Sequence, residues 1–435
     1  MVNGAPSVHF DGATRMGHDG VTEMNRRSYA TWLLAACSAL FVFLALPWPM
    51  AASGDAAARP GGATTTSAAD ELRLAELGLD PESDRYTAPM GSGRATLTLV
   101  PRVQGRIEKF LADYRVPWAA AVLLEPATGR VLAMAEHSQR DPSRGLSLQA
   151  RAPAASIFKI VTSAALLQRG FEPDAEVCYH GGNHRLQRTN LADDPRRDRR
   201  CLTLASALGH SANVVFAKLA DRALDAELLR ASAERLLFNS PIPFPQPVEM
   251  SRADIPEDPF ALATTAAGFG PVRLSPLHGA LIAAIVANGG VFVPPEVLSS
   301  VDGAAAPPRP GTRRVLDERV AADLASMMRT TVTEGTARQV FRERRSRRSS
   351  LQSLTVAGKT GSLSEPNPYR DYSWFVGFAP VDHPRVAFAV VVMNDRSWRV
   401  KAPAVARAAL EAWSEWEWGR MQASALPLPA MPSTP

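Results

Sequence analysis

A domain with strands near both ends of its folded part and helices filling the middle is what this sequence predicts, on three observations. Two apolar runs, Ala119 to Leu124 and Arg130 to Ala135, flank Glu125-Pro126-Ala127-Thr128-Gly129, whose proline and glycine are turn residues, so the pair reads as a β-hairpin. From Ser156 to Val332 the apolar residues recur mainly at helical spacing. The last third is β-rich again: strands are read at Leu354 to Ala357, Trp374 to Phe378 and Val386 to Met393, before a closing helix from Pro403 to Trp413. With 435 residues, 46% of them hydrophobic, the chain can build a real core in one large domain or two ordinary ones. Its 48 basic against 43 acidic residues give a formal charge of +5, too mild an excess at this length to argue for nucleic acid. The 35 prolines point to long loops and linkers.

Met1 to Glu23 has no periodicity and reads as a disordered tail, with Met24-Asn25-Arg26-Arg27 resembling the start of an export signal. Tyr29 to Met50 carries no charge and is about long enough to cross a bilayer. Arg26 and Arg27 just before it place residues 1–28 in the cytoplasm and everything after Met50 outside. A cleaved signal ending at Ala51, Ala52 and Ser53 is the alternative, and on either reading the domain is exported. Leu34-Ala35-Ala36-Cys37 looks like a lipoprotein box, but further apolar residues follow it, so Cys37 reads as an ordinary membrane residue. Residues 51–94, rich in Ala, Gly, Thr, Ser and Pro, read as a linker with one short helical candidate at Ala69 to Leu77. The folded region is expected from Ala95, opening with a helix marked by Val103, Ile107, Phe110 and Leu111, and residues 419–435 form a disordered tail.

After the hairpin comes Pro153-Ala154-Ala155-Ser156-Ile157-Phe158-Lys159. Pro153 suits a first helical turn, and Ile157, Ile160, Val161, Ala164 and Leu167 continue at helical spacing to Gly170, so Ser156 and Lys159 share one face near a buried helix N-terminus. A serine hydroxyl needs a base, and a desolvated lysine with a lowered pKa can serve as one. Cys178 and Cys201 bracket a loop with His180, His184 and an arginine cluster. In an exported protein the two cysteines suit a disulfide. A metal site of Cys178, His180, His184 and Cys201, whose spacing fits no standard finger, and two free thiols are the alternatives.

Helices are read at Leu202 to Leu208, Val214 to Ala223, Ala226 to Leu237, around Leu262 to Ala267, at Pro276 to Ala287 and at Glu318 to Val332. His210-Ser211-Ala212-Asn213 precedes the second of these: Ser211 can cap it, relay a proton, or do both, and the Asn213 amide can hold a substrate and Lys159. Gly358-Lys359-Thr360-Gly361-Ser362 follows the first C-terminal strand, giving a cationic, hydrogen-bonding wall suited to a carboxylate, with Gly361 letting a peptide backbone approach. Arg342 to Arg348 reads as a solvated hairpin tip, contact with anionic lipid or cell-wall polymer being the lesser reading.

S-x-x-K, S-x-N and K-T-G are weak singly and specific together. In that order they make the chain, from about Ala95 to Trp418, resemble the transpeptidase domain of penicillin-binding proteins of the monofunctional, membrane-anchored type. Gly268-Phe269-Gly270-Pro271-Val272-Arg273-Leu274-Ser275-Pro276-Leu277, Gly335-Thr336-Ala337 and Trp374-Phe375-Val376-Gly377-Phe378-Ala379-Pro380 look like segments of that family. The resemblance implies an α+β fold in which an antiparallel sheet, made from the first hairpin and the C-terminal strands, is flanked by helices and adjoins an all-helical subdomain carrying Ser156. It implies that Ser156 is acylated by the penultimate D-Ala of a peptidoglycan stem peptide, and by β-lactams. Lys159 would be the base, Ser211 the proton relay and Asn213 the positioning group. Lys359 and Thr360 would hold the terminal carboxylate, beside Gly361, with the oxyanion held by the N–H groups of Ser156 and Ser362. It places the catalytic domain on the periplasmic side of the inner membrane, beside other cell-wall synthesis proteins, with no cofactor, metal or nucleic acid expected.

Two departures stand out: only a short linker precedes the domain where larger family members carry a non-catalytic one, and His210 directly before Ser211 is unusual. A D,D-carboxypeptidase would differ only in the acceptor. A serine β-lactamase of class A would need a Glu with an Asn four residues on, and Glu234 with Asn239 has the wrong spacing. A β-lactam sensor would need an output domain, which the short cytoplasmic segment does not offer.

Overall fold

The computed structural model describes residues 71–139, 145–182, 186–307, 309–342 and 354–425. The expected cytoplasmic tail, membrane segment and C-terminal residues from 426, and most of the basic run from Arg342, lie outside them. Among the described residues no helix is long and apolar enough to cross a membrane.

The chain forms a sheet well before Ala95. β1 (Gly78–Asp80), β2 (Arg85–Met90) and β3 (Gly93–Leu97) pair in sequence, with Leu72, Ala88, Ala95 and Leu97 buried. The linker reading of 51–94 is therefore corrected from residue 71 onward, and the helical candidate at Ala69 to Leu77 is reduced to a 3-10 turn at Leu74–Glu76. α1 (Pro101–Asp113) starts on a proline and buries Val103, Ile107 and Leu111. The hairpin follows as β4 (Trp118–Leu124) and β5 (Val131–Ser138), paired antiparallel.

β6 (Ala152–Pro153) precedes a 3-10 turn, Ala155–Phe158, and α2 (Lys159–Gln168). Pro153 thus does not open the helix: it pairs with Arg273 in β9 (Arg273–Leu274), and Ser156 stands in the tighter turn ahead of α2. β7 (Glu176–Tyr179) and β8 (Arg200–Thr203) are antiparallel with Cys178 directly opposite Cys201, and the two sulfurs are bonded. The alternatives of a metal set and of two free thiols are overturned because both thiols are consumed in the disulfide; His184 lies outside the described residues, and His180 Nδ1 is bonded to Asp198 Oδ1 at 2.5 Å.

The middle helices start where side chains cap them. Thr203 caps α3 (Leu204–Gly209), Asp225 caps α5 (Ala226–Arg235), Asp258 caps α6 (Pro259–Ala266) and Ser275 caps α7 (Pro276–Ala287). α4 (Asn213–Ala223) has no such cap: Ala212 takes the cap position, and Ser211 lies outside the helix at φ 57, so its expected capping role is not realised. The stripe Val214, Lys218, Arg222 on α4 faces the disulfide-closed loop. Gly182 approaches so closely that a Cβ there would lie 2.6 Å from Val214 Cβ, and Arg222 pairs with Asp193. Lys218, fully buried, donates to Asp198 Oδ2 at 2.7 Å and to the Cys178 carbonyl at 3.1 Å, and lies 3.1 Å from Asp193. Replacing Asp198 by alanine is expected to cost roughly 3 kcal/mol, because a buried cation loses its nearest counter-charge. A lowered urea midpoint at unchanged slope reads this out. A loss within about 0.5 kcal/mol, the range of an ordinary surface change, would contradict it.

β10 (Val291–Phe292) pairs with β13 (Arg313–Arg314), while β11 (Leu298–Val301) joins β3 to β12 (Ala304–Ala305) and completes the first sheet. α8 (Glu318–Thr333) and α9 (Arg338–Arg342) lead to β14 (Ala357–Pro366), β15 (Tyr369–Ala379), β16 (Val386–Asn394) and α10 (Ala402–Ala425), which runs well beyond Trp413. The main sheet has the order β14-β15-β16-β4-β5, every pair antiparallel, so the early hairpin is completed by the C-terminal strands. Alternation along β4 divides its side chains: Ala119, Ala121 and Leu123 join the cluster with α1 and α10, whereas Trp118, Ala120, Val122 and Leu124 face the other core, which holds α7 and α2. A sheet covered on both faces explains why these strands read as unbroken apolar runs. β14 is an edge strand, and the turn carrying Ser156 packs against it.

Candidate active site

Two close backbone approaches and an indole hydrogen bond hold the Ser156 turn. Ala155 takes φ 49, a conformation unusual for a residue with a Cβ. Beside it Gly268, at φ 93, approaches so closely that a Cβ would lie 2.6 Å from the Ala155 carbonyl oxygen and 3.0 Å from Ser156 Cα. On the other side Gly361 of β14 faces Ile157 Cγ1 at 3.2 Å and the Ala154 carbonyl at 3.4 Å from its own would-be Cβ. Trp374 of β15 donates its indole N–H to the Pro153 carbonyl at 2.9 Å. The apolar neighbours of S-x-x-K and the glycines of two distant segments thus fix where the serine stands.

Lys159 is fully buried, and its Nζ is 2.8 Å from Ser156 Oγ, 2.8 Å from Asn213 Oδ1 and 2.5 Å from the Ala267 carbonyl oxygen. None of the three partners carries a charge. Burial, and secondly the positive charge of Lys359, hold its pKa well below the usual lysine value. A neutral amine has two N–H groups and one lone pair: the amide and carbonyl oxygens take the protons, and the lone pair is left for the Ser156 hydroxyl. This geometry turns a weak nucleophile into an activated one. The ring of Phe216 lies 5.7 Å from the amine and helps close it off from water.

Lys359, Thr360, Gly361 and Ser362 lie within β14 rather than after a strand, since the strand starts at Ala357 and continues to Pro366. Lys359 is fully buried and donates to the Thr360 carbonyl at 2.8 Å; burial lowers its pKa to about 7. Thr360 is half-buried and Ser362 exposed. Ser211 is half-buried two residues before Asn213, but it is not among the hydrogen-bond partners of Lys159. His210 is exposed and turns its Nδ1 to the Ser206 carbonyl at 3.0 Å, away from this network. Asn239 exchanges two hydrogen bonds with the backbone of Ala253, a structural use of the residue weighed with Glu234 as a water-activating pair.

One residue at the site was missed as a functional group by the sequence reading. Thr336 Oγ1 is 2.6 Å from Thr360 Oγ1, and the only hint was its place in Gly335-Thr336-Ala337.

A buried amine on a serine and an amide, beside a cationic strand edge packed against the serine turn, define a serine acyl-transfer site. Residues 119–411 match the model of the penicillin binding protein transpeptidase domain, and the chain belongs to that family. It is 29% identical over 345 residues, covering 69% of this chain and 67% of the relative, to peptidoglycan D,D-transpeptidase PbpA of Mycobacterium tuberculosis. Stage V sporulation protein D of Bacillus subtilis is 26% identical over 345 residues, 72% of this chain and 52% of that protein. Among solved structures, PBPA from Mycobacterium tuberculosis superposes with TM-score 0.61 at 26% identity over 75% of this chain and 81% of that one. The imipenem acyl-enzyme complex of penicillin-binding protein A from the same organism gives 0.58 at 26% identity, over 74% and 80%.

Proposed function

We propose that this chain is a serine D,D-transpeptidase that cross-links peptidoglycan stem peptides and is acylated by β-lactams. The observation that carries the reading is the buried Lys159 amine held between Ser156 and Asn213. Ser156 Oγ attacks the carbonyl of the penultimate D-Ala while its proton passes to Lys159 Nζ. The tetrahedral oxyanion is held by the backbone N–H groups of Ser156 and Ser362. The proton then reaches the leaving nitrogen through Ser211, and terminal D-Ala departs, leaving an ester on Ser156. An amine of a neighbouring stem attacks that ester, giving its proton to Lys159, so that a new peptide bond forms and the serine is restored. Lys359 and Thr360 hold the terminal carboxylate of the donor. The domain works outside the inner membrane, anchored through residues 29–50, in the company of other wall-synthesis proteins.

The test supplies a pentapeptide stem with and without an amine acceptor and weighs the products. The expected result is a cross-linked product that requires the acceptor. Tetrapeptide alone, at the same rate in both, would make the protein a carboxypeptidase; steady nitrocefin turnover at ordinary enzymatic rates would make it a β-lactamase.

A further inference from the structure

Gly335 packs so tightly that a Cβ would lie 2.0 Å from the Gly209 carbonyl oxygen, so this loop reaches the backbone just before the His210-Ser211-Ala212-Asn213 motif. Thr336 N–H donates to the same carbonyl at 3.1 Å, and its hydroxyl lies 3.4 Å from it. The other neighbour of that hydroxyl is Thr360 Oγ1, at 2.6 Å. The Thr336–Thr360 pair lies at the exposed side of the β14 edge. One side chain therefore ties the loop before Asn213 to the strand carrying Lys359.

We propose that Thr336 is a positioning residue that aims the Thr360 hydroxyl at the donor carboxylate, a role that rests on the function proposed above. A threonine hydroxyl has one proton and can accept two more. To bind a carboxylate, which only accepts, Thr360 must spend its proton outward. Something else must then fix its oxygen, and Thr336 is placed to donate to it. The Thr336 proton has a second acceptor in the Gly209 carbonyl. Arrival of the carboxylate settles the choice: Thr336 donates to Thr360, and Thr360 to the ligand. The loop thereby reports occupancy of the carboxylate site to the backbone leading to Asn213.

Two thioester donors separate this role from a merely structural one: an N-acyl-D-alanyl thioglycolate with its free carboxylate, and the same compound as the carboxamide. Acylation of the full chain is followed by thiol release for each, and the quantity read is the ratio of the two second-order rate constants. Thr336→Val is expected to lower that ratio about tenfold, the upper end of what a hydrogen bond between neutral groups contributes. Thr336→Ser, which keeps the hydroxyl, is expected to retain it. Combining Thr336→Val with Thr360→Val should cost no more than Thr360→Val alone, as for two groups acting as one. A ratio unchanged in Thr336→Val, or lost equally in Thr336→Ser, overturns the inference, as does a Val variant that slows both donors alike. Wild-type protein inert to both donors and to a fluorescent penicillin would instead sink the acyl-transfer reading itself.

Discussion

With Ser156 replaced by alanine, covalent labelling by a fluorescent penicillin is expected to vanish while the protein stays folded. On the proposed mechanism the ester-forming atom is Ser156 Oγ, which among the described residues is the hydroxyl bonded to Lys159 Nζ, the amine's other partners being the Asn213 amide and the Ala267 carbonyl. The fold should tolerate the change. The turn over Ala155–Phe158 is held by Gly268, Gly361 and the indole of Trp374 through backbone atoms and Ile157, and Ser156 itself is half-buried. Deleting a single hydrogen bond to a buried amine costs on the order of 1–3 kcal/mol, a few degrees in melting temperature for a domain of this size. A labelled band of wild-type strength in the variant, at equal folded protein, would place the nucleophile elsewhere.

The site was more legible than its surroundings. Ser156, Lys159 and Asn213 meet through side chains whose types and spacing announce their chemistry, and β14, which carries Lys359 to Ser362, packs against the serine turn. Ser211 did not follow the pattern: its positive φ is set by how the loop after α3 turns, which a residue string does not encode, so the expected cap is absent. Thr336 stayed hidden because its partner is 24 residues away across a segment with no pattern linking them. Among the elements, α7 was readable to the residue because Ser275 caps it, Pro276 opens it and Gly289-Gly290 follows it. The first sheet was not, because β1 to β3 are short and mix glycine, proline and charged residues with few large apolar ones, and β3 finds its second neighbour in β11, some 200 residues on. Pro153 shows the same limit in small: a good helix-opening residue by local preference is held in a two-residue strand by Arg273.

Replacing Lys159 is expected to slow acylation by about a thousandfold, within the range general bases contribute, and the choice of replacement separates its base role from its charge. Arginine keeps a cation but cannot be deprotonated in a protein, so Lys159→Arg should be as slow as Lys159→Ala. The pH profile carries the same argument. Lys159 must be neutral to take the serine proton, so the rate constant for free protein and donor climbs as pH rises through its lowered pKa. Lys359 must be charged to attract the carboxylate, and its pKa of about 7 makes that rate constant fall above neutrality. A bell is therefore expected for wild type, and only the falling limb in Lys159→Ala. At saturating donor the falling limb should move to higher pH, because the bound carboxylate favours protonated Lys359. Stability follows the opposite course. Between pH 7 and 10.5 the unfolded chain holds a proton on this residue that the folded chain has released, so unfolding should become harder as pH rises across that window, a slope that Lys359→Met should flatten. An acylation rate in Lys159→Arg close to wild type would show that the amine supplies charge and that another group takes the proton.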